Sequence, residues 1–551
     1  MLVVLFPTRR WQAALLVFAL LDLMATPGFG SDSSMRFREV SEAWQAQFLH
    51  HHGGSGQRYM LETMVGGVVI LDFDGDGDQD IFYVDGGAMP GYEGEPARSR
   101  MFRNDGAGQF VDFTEPSGIE MQSYGVGATA GDIDNDGDLD LYVTVFGVNQ
   151  MLLNRGDGTF VDVTEKAGVG DDRWNASAAF ADVDRDGDLD LYVAGYTNFT
   201  VATHKECRTG DLVGYCQPEA YTAIADRFFR NHGDGVFEDA SQLAGFGSLS
   251  PAAGLGVVFG DLDGDRWPDL YVANDQYPNL LFQNQGDGTF GEVSLLAGVA
   301  YSDAGNAEAG MGVDMGDVDG DGNIDIMVTN FELETNAFYR NLGGALFVDS
   351  RWMSDIAEPS YLFLAFGIDL GDFDQDGDLD MVVANGHIND TAPELLDRSM
   401  YEQQNQVFEN DGKGRFQVVD AGLDVVRVSR GLAAGDLDGD GDLDLVIVNS
   451  NSRSEVYENL ASSGNRWLLV DLVGSKSNRY GVDSWVELAS DDKRQVRYAR
   501  TGSSYLSQSA LSLHFGLGEA GRVSSLEVDW PSGVRQRWLQ VPANQRVRLF
   551  E

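Results

Sequence analysis

The stretch LDFDGDGDQDIFYV, residues 71–84, sets five aspartates within nine positions and follows them with a strand-forming apolar run. Like charges this close repel one another unless a positive charge cancels them. The stretch returns as GDIDNDGDLDLYV, ADVDRDGDLDLYV, GDLDGDRWPDLYV, GDVDGDGNIDIMV, GDFDQDGDLDMVV and GDLDGDGDLDLVIV. Counted from the first aspartate, carboxylates stand at positions 1, 3, 5 and 9 of every copy, and glycine at position 6 of six of the seven. This spacing suits a hard cation that takes about six to eight oxygens and needs a sharp turn around it. Calcium fits better than magnesium, which accepts fewer protein ligands and keeps its waters.

The expected ligands follow copy by copy. They are Asp72, Asp74, Asp76, Asp78 and Asp80, then Asp132, Asp134, Asp136, Asp138 and Asp140, then Asp182, Asp184, Asp186, Asp188 and Asp190. The fourth copy offers Asp261, Asp263, Asp265 and Asp269, and the fifth Asp317, Asp319, Asp321, Asn323 and Asp325. The last two offer Asp372, Asp374, Asp376, Asp378 and Asp380, and Asp436, Asp438, Asp440, Asp442 and Asp444. Position 9 is expected to give the last carboxylate and position 7 a backbone carbonyl, which explains why the residue at 7 varies. The loops are not EF-hands, because position 12 holds an apolar or aromatic residue instead of glutamate and the flanks are β-branched. Up to seven calcium ions are expected, with the fourth site doubtful. There Arg266 replaces the glycine, and weakened binding is expected with the arginine turned to water; a guanidinium folded inward as an internal counter-charge, or binding only at high calcium, are the alternatives.

Seven such loops recur at a period of roughly 60 residues. Each is followed by an apolar segment ending in asparagine, at Asn104, Asn154, Asn231, Asn284, Asn341, Asn410 and Asn459, and then by a glycine turn and a strand such as FVDVT. One unit reads as four short strands, for example YGVGATAGDI, DLYVTV, NQMLLN and TFVDVT. Seven four-stranded units predict an all-β, seven-bladed propeller over residues 31–460. Phe37–Ser41 (FREVS) matches the fourth strand that the last unit lacks, so it is expected to complete that blade and close the ring. Units one, three and six carry insertions at the same point of the repeat, and these should project from one face.

The loops DFDGDGDQD and DIDNDGDLD resemble the FG-GAP or VCBS repeats of integrin-α-type propellers. GDLDGDGDLDLVIVN and DLYVANDQYPNLLFQN are similar to phrases of the cartilage acidic protein family. In that family the propeller is followed by an ASPIC/UnbV domain, and SNRYGVDSWVEL, SYLSQSALSLHFGLG and VDWPSG carry this second resemblance. The resemblance implies a calcium-binding propeller and a secreted location, and it leaves the biochemical role open. Composition marks the same boundary: residues 464–551 carry a net +3 and the rest of the chain −54. The tail alternates as short strands and reads as a small β-sandwich over residues 461–551, either docked on the acidic propeller through its basic residues or independent on a short linker.

A net charge of −51 excludes nucleic acid and anionic membranes as natural partners. Arg9 and Arg10 precede WQAALLVFALLDLMA and small residues, so residues 1–30 are expected to form a signal peptide, and no later segment is apolar enough to span a bilayer. An exported chain permits a disulfide between Cys207 and Cys216. His387 and His514 are expected to be structural, and the HHH run at 50–52 an exposed loop. The sequence therefore points to an exported, non-enzymatic binding or adhesion module for a protein or glycan. A propeller-based enzyme acting on polysaccharide and a structural matrix protein are the alternatives.

Overall fold

Each repeat folds into one four-stranded antiparallel sheet, in which the aspartate loop joins the first strand to the second. The computed structural model describes residues 35–94, 98–121, 123–461, 464–490 and 493–551. The expected signal segment, 1–30, lies outside the described residues. In the second sheet the strands are Tyr124–Gly131, Asp140–Phe146, Gln150–Asn154 and Phe160–Asp162, close to the reading from sequence. Seven sheets of this kind carry the seven loops, and their first strands touch their neighbours in a closed cycle, the last, Ser429–Gly435, meeting the first, Val68–Leu71. The chain is a β-propeller. The N-terminal strand Phe37–Glu39 pairs with Glu455–Asn459 and supplies the outer strand of the last blade, so closure needs no covalent link.

The recurring asparagines tie blade to blade. Asn154 Nδ2 donates to Phe73 O, 2.7 Å away in the preceding loop, and Asn231, Asn284, Asn341, Asn410 and Asn459 do the same to Ile133, Val183, Leu262, Val318 and Phe373. Asn104 reaches Leu437 of the last blade at 2.7 Å and completes the circle. Each is buried, so losing the amide would strand a carbonyl away from water.

From Arg466 the chain forms a three-stranded and a four-stranded sheet packed face to face, with Leu468, Val486, Phe515 and Val528 among their shared core. This sandwich does not hang on its linker. Its segment 501–510 enters the centre of the propeller and satisfies the edge N–H groups of the innermost strands. Val68 N donates to Ser507 Oγ (3.1 Å), Ala128 N to Leu506 O (3.2 Å), Phe180 N to Thr501 Oγ1 (2.7 Å), Val313 N to Ser504 O (3.0 Å), Ile368 N to Ser504 Oγ (3.0 Å) and Ala434 N to Ser509 Oγ (3.0 Å). The close fit explains why those strands are built of small residues. A Cβ at Gly67 would stand 2.1 Å from Leu506 O, and one at Gly127 2.8 Å from Leu506 Cβ. Docking wins over independence, and the basic residues take part, as Arg500 pairs with buried Asp314.

The opposite end is closed by the insertions. Met60, Tyr196, Phe199, Tyr221, Phe366 and Ile388 pack with Tyr505 and Leu506 in one apolar cluster. Cys207 and Cys216 are disulfide-bonded across a short hairpin in the longest insertion, and Cys216 is buried in that cluster. The HHH run departs from the expected exposed loop. His50 is fully buried with Nδ1 accepting from Asn451 N at 3.2 Å, while His51 and His52 are half-buried, because the run follows a segment paired to the last blade. Burial, with the positive Arg430 and the neighbouring histidines, holds His50 down at about 4 despite Asp85. Its folded value lies below its ordinary 6.5, so its contribution is intact above pH 6.5 and is lost as pH falls toward 4. His50→Asn, which keeps the acceptor, is expected to flatten the acid limb of denaturant unfolding by about 2–3 kcal/mol between pH 7 and 4. Superimposable acid limbs for the two proteins would show that the ring titrates normally.

Candidate metal centres

The loop geometry is set by two left-handed residues. At position 6, Gly77, Gly137, Gly187, Gly322, Gly377 and Gly441 have φ between 89° and 103°, a region that penalises a Cβ. Position 4 is left-handed as well, at φ 58–87°, and is held by glycine, asparagine, arginine or glutamine. The turn aims backbone N–H groups inward. Gly77 N donates to Asp72 Oδ2 at 3.0 Å, Gly75 N to Asp72 Oδ1 at 2.9 Å and Asp78 N to Asp76 Oδ1 at 2.9 Å.

The last aspartate does two jobs. In the first loop Asp80 Oδ1 accepts from Asn104 N (2.7 Å) and Oδ2 from Phe73 N (3.0 Å), clamping the loop to the third strand of its own blade. Asp140, Asp269, Asp325, Asp380 and Asp444 repeat both bonds. Carboxylate oxygens converge within 4.8 Å in the sets Asp72–Asp74–Asp80, Asp132–Asp134–Asp136, Asp182–Asp184–Asp186, Asp261–Asp263–Asp265 and Asp317–Asp319–Asp325. No position-7 side chain belongs to these five sets. Asp188 instead accepts from Asn135 Nδ2 of the neighbouring loop at 2.9 Å, Asn323 turns back on Asp321 at 2.8 Å, Asp378 takes Lys493 at 3.2 Å and Asp442 takes Gln375.

Electrostatics say what such sets need. Burial, reinforced by the neighbouring carboxylates, raises Asp72 to about 6, Asp132 to about 7, Asp182 to about 8, Asp317 to about 6, Asp372 to about 8 and Asp436 to about 6. Burial raises Asp80 to about 9, and Asp140 and Asp325 to about 8. Buried oxygens without a hydrogen-bond donor remain on Asp74, Asp134, Asp182, Asp317 and Asp372. Orphaned, desolvated carboxylate oxygens converging on one point fit a hard divalent cation, which would supply the missing charge and coordination. The chemistry it supplies is structural: it cancels charge and holds the corner between the first two strands.

The fourth loop is built differently. Arg266 adopts φ 75° and its guanidinium folds inward, Nη1 lying 2.7 Å from Asp261 Oδ2. The expectation that this side chain would turn to water is corrected: Asp529 at 3.3 Å and the face of Trp485, 4.0 Å from its guanidinium carbon, draw it under the sandwich.

The sandwich sits directly on the loops. Arg546 donates to Gly77 O, Arg479 Nε to Asn135 O (3.1 Å), Asp182 N to Asp483 Oδ2 (2.7 Å), Lys493 Nζ to Asp376 O (2.7 Å), Gly516 N to Asp372 Oδ2 (2.8 Å) and His514 Nε2 to Gly441 O (3.0 Å). With the Arg266 contact, these polar contacts come from six loops, and Ile324 of the fifth shares an apolar cluster with Trp485, Val496 and Tyr498 of the sandwich. This cap was not legible in the sequence beyond the charge contrast.

Fold and loops together define the class: an aspartate-loop β-propeller whose loop face is capped, and whose axis is plugged, by a C-terminal β-sandwich. The chain belongs to the FG-GAP-like repeat family, whose profile matches residues 72–143, 142–193, 224–272, 261–328, 317–383 and 389–474. The ASPIC and UnbV profile matches residues 474–551. Cartilage acidic protein 1 of Xenopus tropicalis is 26% identical over 485 residues, covering 85% of this chain and 70% of that protein. Its mouse counterpart is 27% identical over 314 residues, 54% of this chain and 44% of that one, so this chain spans less than half of the mouse relative. Among solved structures, an Agrocybe aegerita lectin described as recognising non-reducing terminal N-acetylglucosamine superposes with TM-score 0.38 at 17% identity, over 69% of this chain and 88% of that chain.

Proposed function

We propose that this chain is an exported, calcium-binding β-propeller protein that acts as a binding or adhesion module for a protein or glycan partner. The division into a propeller, 31–460, and an ASPIC/UnbV domain, 461–551, belongs to this reading, as does a cleaved segment at 1–30. Calcium is held by the aspartates at positions 1, 3, 5 and 9 of the six loops that keep glycine at position 6. The disulfide and the relatedness to cartilage acidic protein support export. No helix among the described residues is long and apolar enough to cross a membrane.

One observation carries the binding surface. The loop face is covered by the sandwich, whereas the insertions cluster at the opposite end and expose apolar side chains. Leu395 and Met400 are 43% and 58% exposed, beside Leu333 and Tyr361 at 42% and 44%. Ser399 Oγ to Glu332 Oε2 at 3.1 Å and Leu333 N to Tyr361 O at 2.8 Å hold these segments together. An exposed apolar cluster on a charged protein marks a contact surface. The two histidines expected to be structural are held in hydrogen bonds. His387 is buried with Nδ1 accepting from Asn389 N at 2.9 Å, and His514 is committed to Gly441 O. The test displays the full-length chain, in calcium, to a glycan array and to proteins of its own cell surface. Leu395→Glu with Met400→Glu is expected to weaken the observed binding at least about tenfold with an unchanged melt, since both positions are exposed. Undiminished binding would move the partner to another face, and turnover of a polysaccharide on the array would favour the enzyme.

A further inference from the structure

The fourth loop satisfies its first aspartate differently from the glycine loops. In the glycine loops the first aspartate turns Oδ2 to the backbone N–H of position 6, as Gly77 donates to Asp72 at 3.0 Å, Gly137 to Asp132 at 2.9 Å and Gly377 to Asp372 at 2.9 Å. In the fourth loop that oxygen, on Asp261, accepts from the Arg266 guanidinium at 2.7 Å, on a carboxylate whose side chain is wholly buried. Asp261 Oδ1 takes Gly264 N at 2.8 Å, Asp263 Oδ1 takes Asp265 N at 3.0 Å and Asp263 Oδ2 takes Gln283. Among the described residues no carboxylate oxygen of this loop is left buried without a donor, as is also true of the seventh loop, and Asp261, Asp263 and Asp265 still converge within 4.8 Å. Position 7, aspartate or asparagine in the other copies, is here Trp267, stacked under Arg185 of the third loop with the guanidinium carbon 3.9 Å from the ring centre, and Arg185 also donates to Arg266 O. Two arginines thus occupy this corner, and although Arg340 pairs with Asp319 of the fifth loop and Lys493 with Asp378 of the sixth, no other first-position aspartate among the described residues forms an ion pair.

We propose that the fourth loop takes no cation, and that Arg266 serves as its permanent, tethered positive charge and latches this blade to the C-terminal sandwich through Asp529 and Trp485. A guanidinium bonded to Asp261 fills the coordination that a divalent ion would need, and its charge repels one. Arginine suits the task because its planar fork binds two carboxylates from different domains while its face lies on an indole. The consequence is a division of labour. Six loops depend on dissolved calcium, and the fourth is fastened at any calcium concentration.

The proposal rests on the calcium reading of the other six loops, and site-resolved measurement separates the two. Anomalous scattering from crystals of the full chain grown in calcium is expected to show ions in the loops with glycine at position 6 and none at Asp261–Asp269. Calcium retained after equilibrium dialysis should be six per chain for the wild type and seven for Arg266→Gly. Seven ions in the wild type would overturn the proposal and leave the calcium reading standing. Six in both proteins would overturn the role of Arg266 in excluding the ion. A wild type that takes up none would sink both. Asp529→Asn, which leaves the loop untouched, tests the latch even where Arg266→Gly fails to fold. Its sandwich should be cleaved at least about fivefold faster than the wild type's by a limiting protease in chelator, and at nearly the wild-type rate in calcium. Equal rates in chelator would show that Asp529 fastens nothing.

Discussion

Excess chelator is expected to lower the melting temperature by well over 10 °C. Each calcium-fitting loop buries carboxylates that burial already penalises: Asp182 and Asp372 are pushed up to about 8 and Asp80 to about 9. Without an ion these groups must take up protons or bear mutual repulsion in a low-dielectric corner. At about 1 mM free calcium and a site affinity of about 0.1 mM, each occupied site adds roughly 1.4 kcal/mol. Six sites contribute about 8 kcal/mol, comparable to the whole stability of a typical domain, and a large domain loses about 2–4 °C per kcal/mol. The same corners support the contacts of the sandwich at Gly77, Asn135, Asp376 and Gly441, so cap and ring should loosen together. Thermal unfolding in excess chelator and in 1 mM calcium checks this. A melt that does not move would sink the metal reading.

The fold was legible because its repeat is local. Aspartates at fixed spacing, the position-6 glycine and an asparagine, about two dozen residues on in four of the units, all lie within one unit, and spacing alone shows what the aspartates and the glycine do. Even Phe37–Glu39, about 420 residues from its partners, was legible, because FREVS copies the strand it replaces. Position 4 was not legible as left-handed, because Asn135, Arg185 and Gln375 disguise what Gly75 and Gly264 show. For Arg266 an inward turn was one of the open outcomes, but what decides it was not legible, since Asp529 and Trp485 lie more than 200 residues away. The asparagines could be counted, but their reach into the preceding blade needs the ring to exist first. The plug left only an indirect trace, in the small residues of the inner strands, which resemble any tightly packed sheet until something is known to fill the axis.

That plug makes the second large effect. Tyr505→Ala is expected to cost about 3–5 kcal/mol, and so to lower the melting temperature by roughly 10 °C in saturating calcium. Tyr505 has no exposed surface, meets Phe366 edge-on at 4.8 Å between ring centres and donates to Met64 O at 3.2 Å. The variant keeps Ser504, Leu506 and Ser507, which satisfy the edge N–H groups of Ile368, Ala128 and Val68, so the loss falls mainly on apolar packing that no solvent replaces. The effect should therefore persist at every calcium concentration, unlike that of chelator. Phe550→Ala, 62% exposed on the same domain, is the control and should move the melt by less than about 2 °C. A chain ended at residue 460 is the stronger form of the experiment, since it removes the plug and the cap together. It should lose its cooperative melt even in calcium, because the apolar cluster beneath the insertions loses both Tyr505 and Leu506 and opens to the channel. A truncated chain that stayed soluble and melted as the full protein does would show that the ring stands on its asparagine ties and its ions alone, and that the sandwich is a passenger on the loop face.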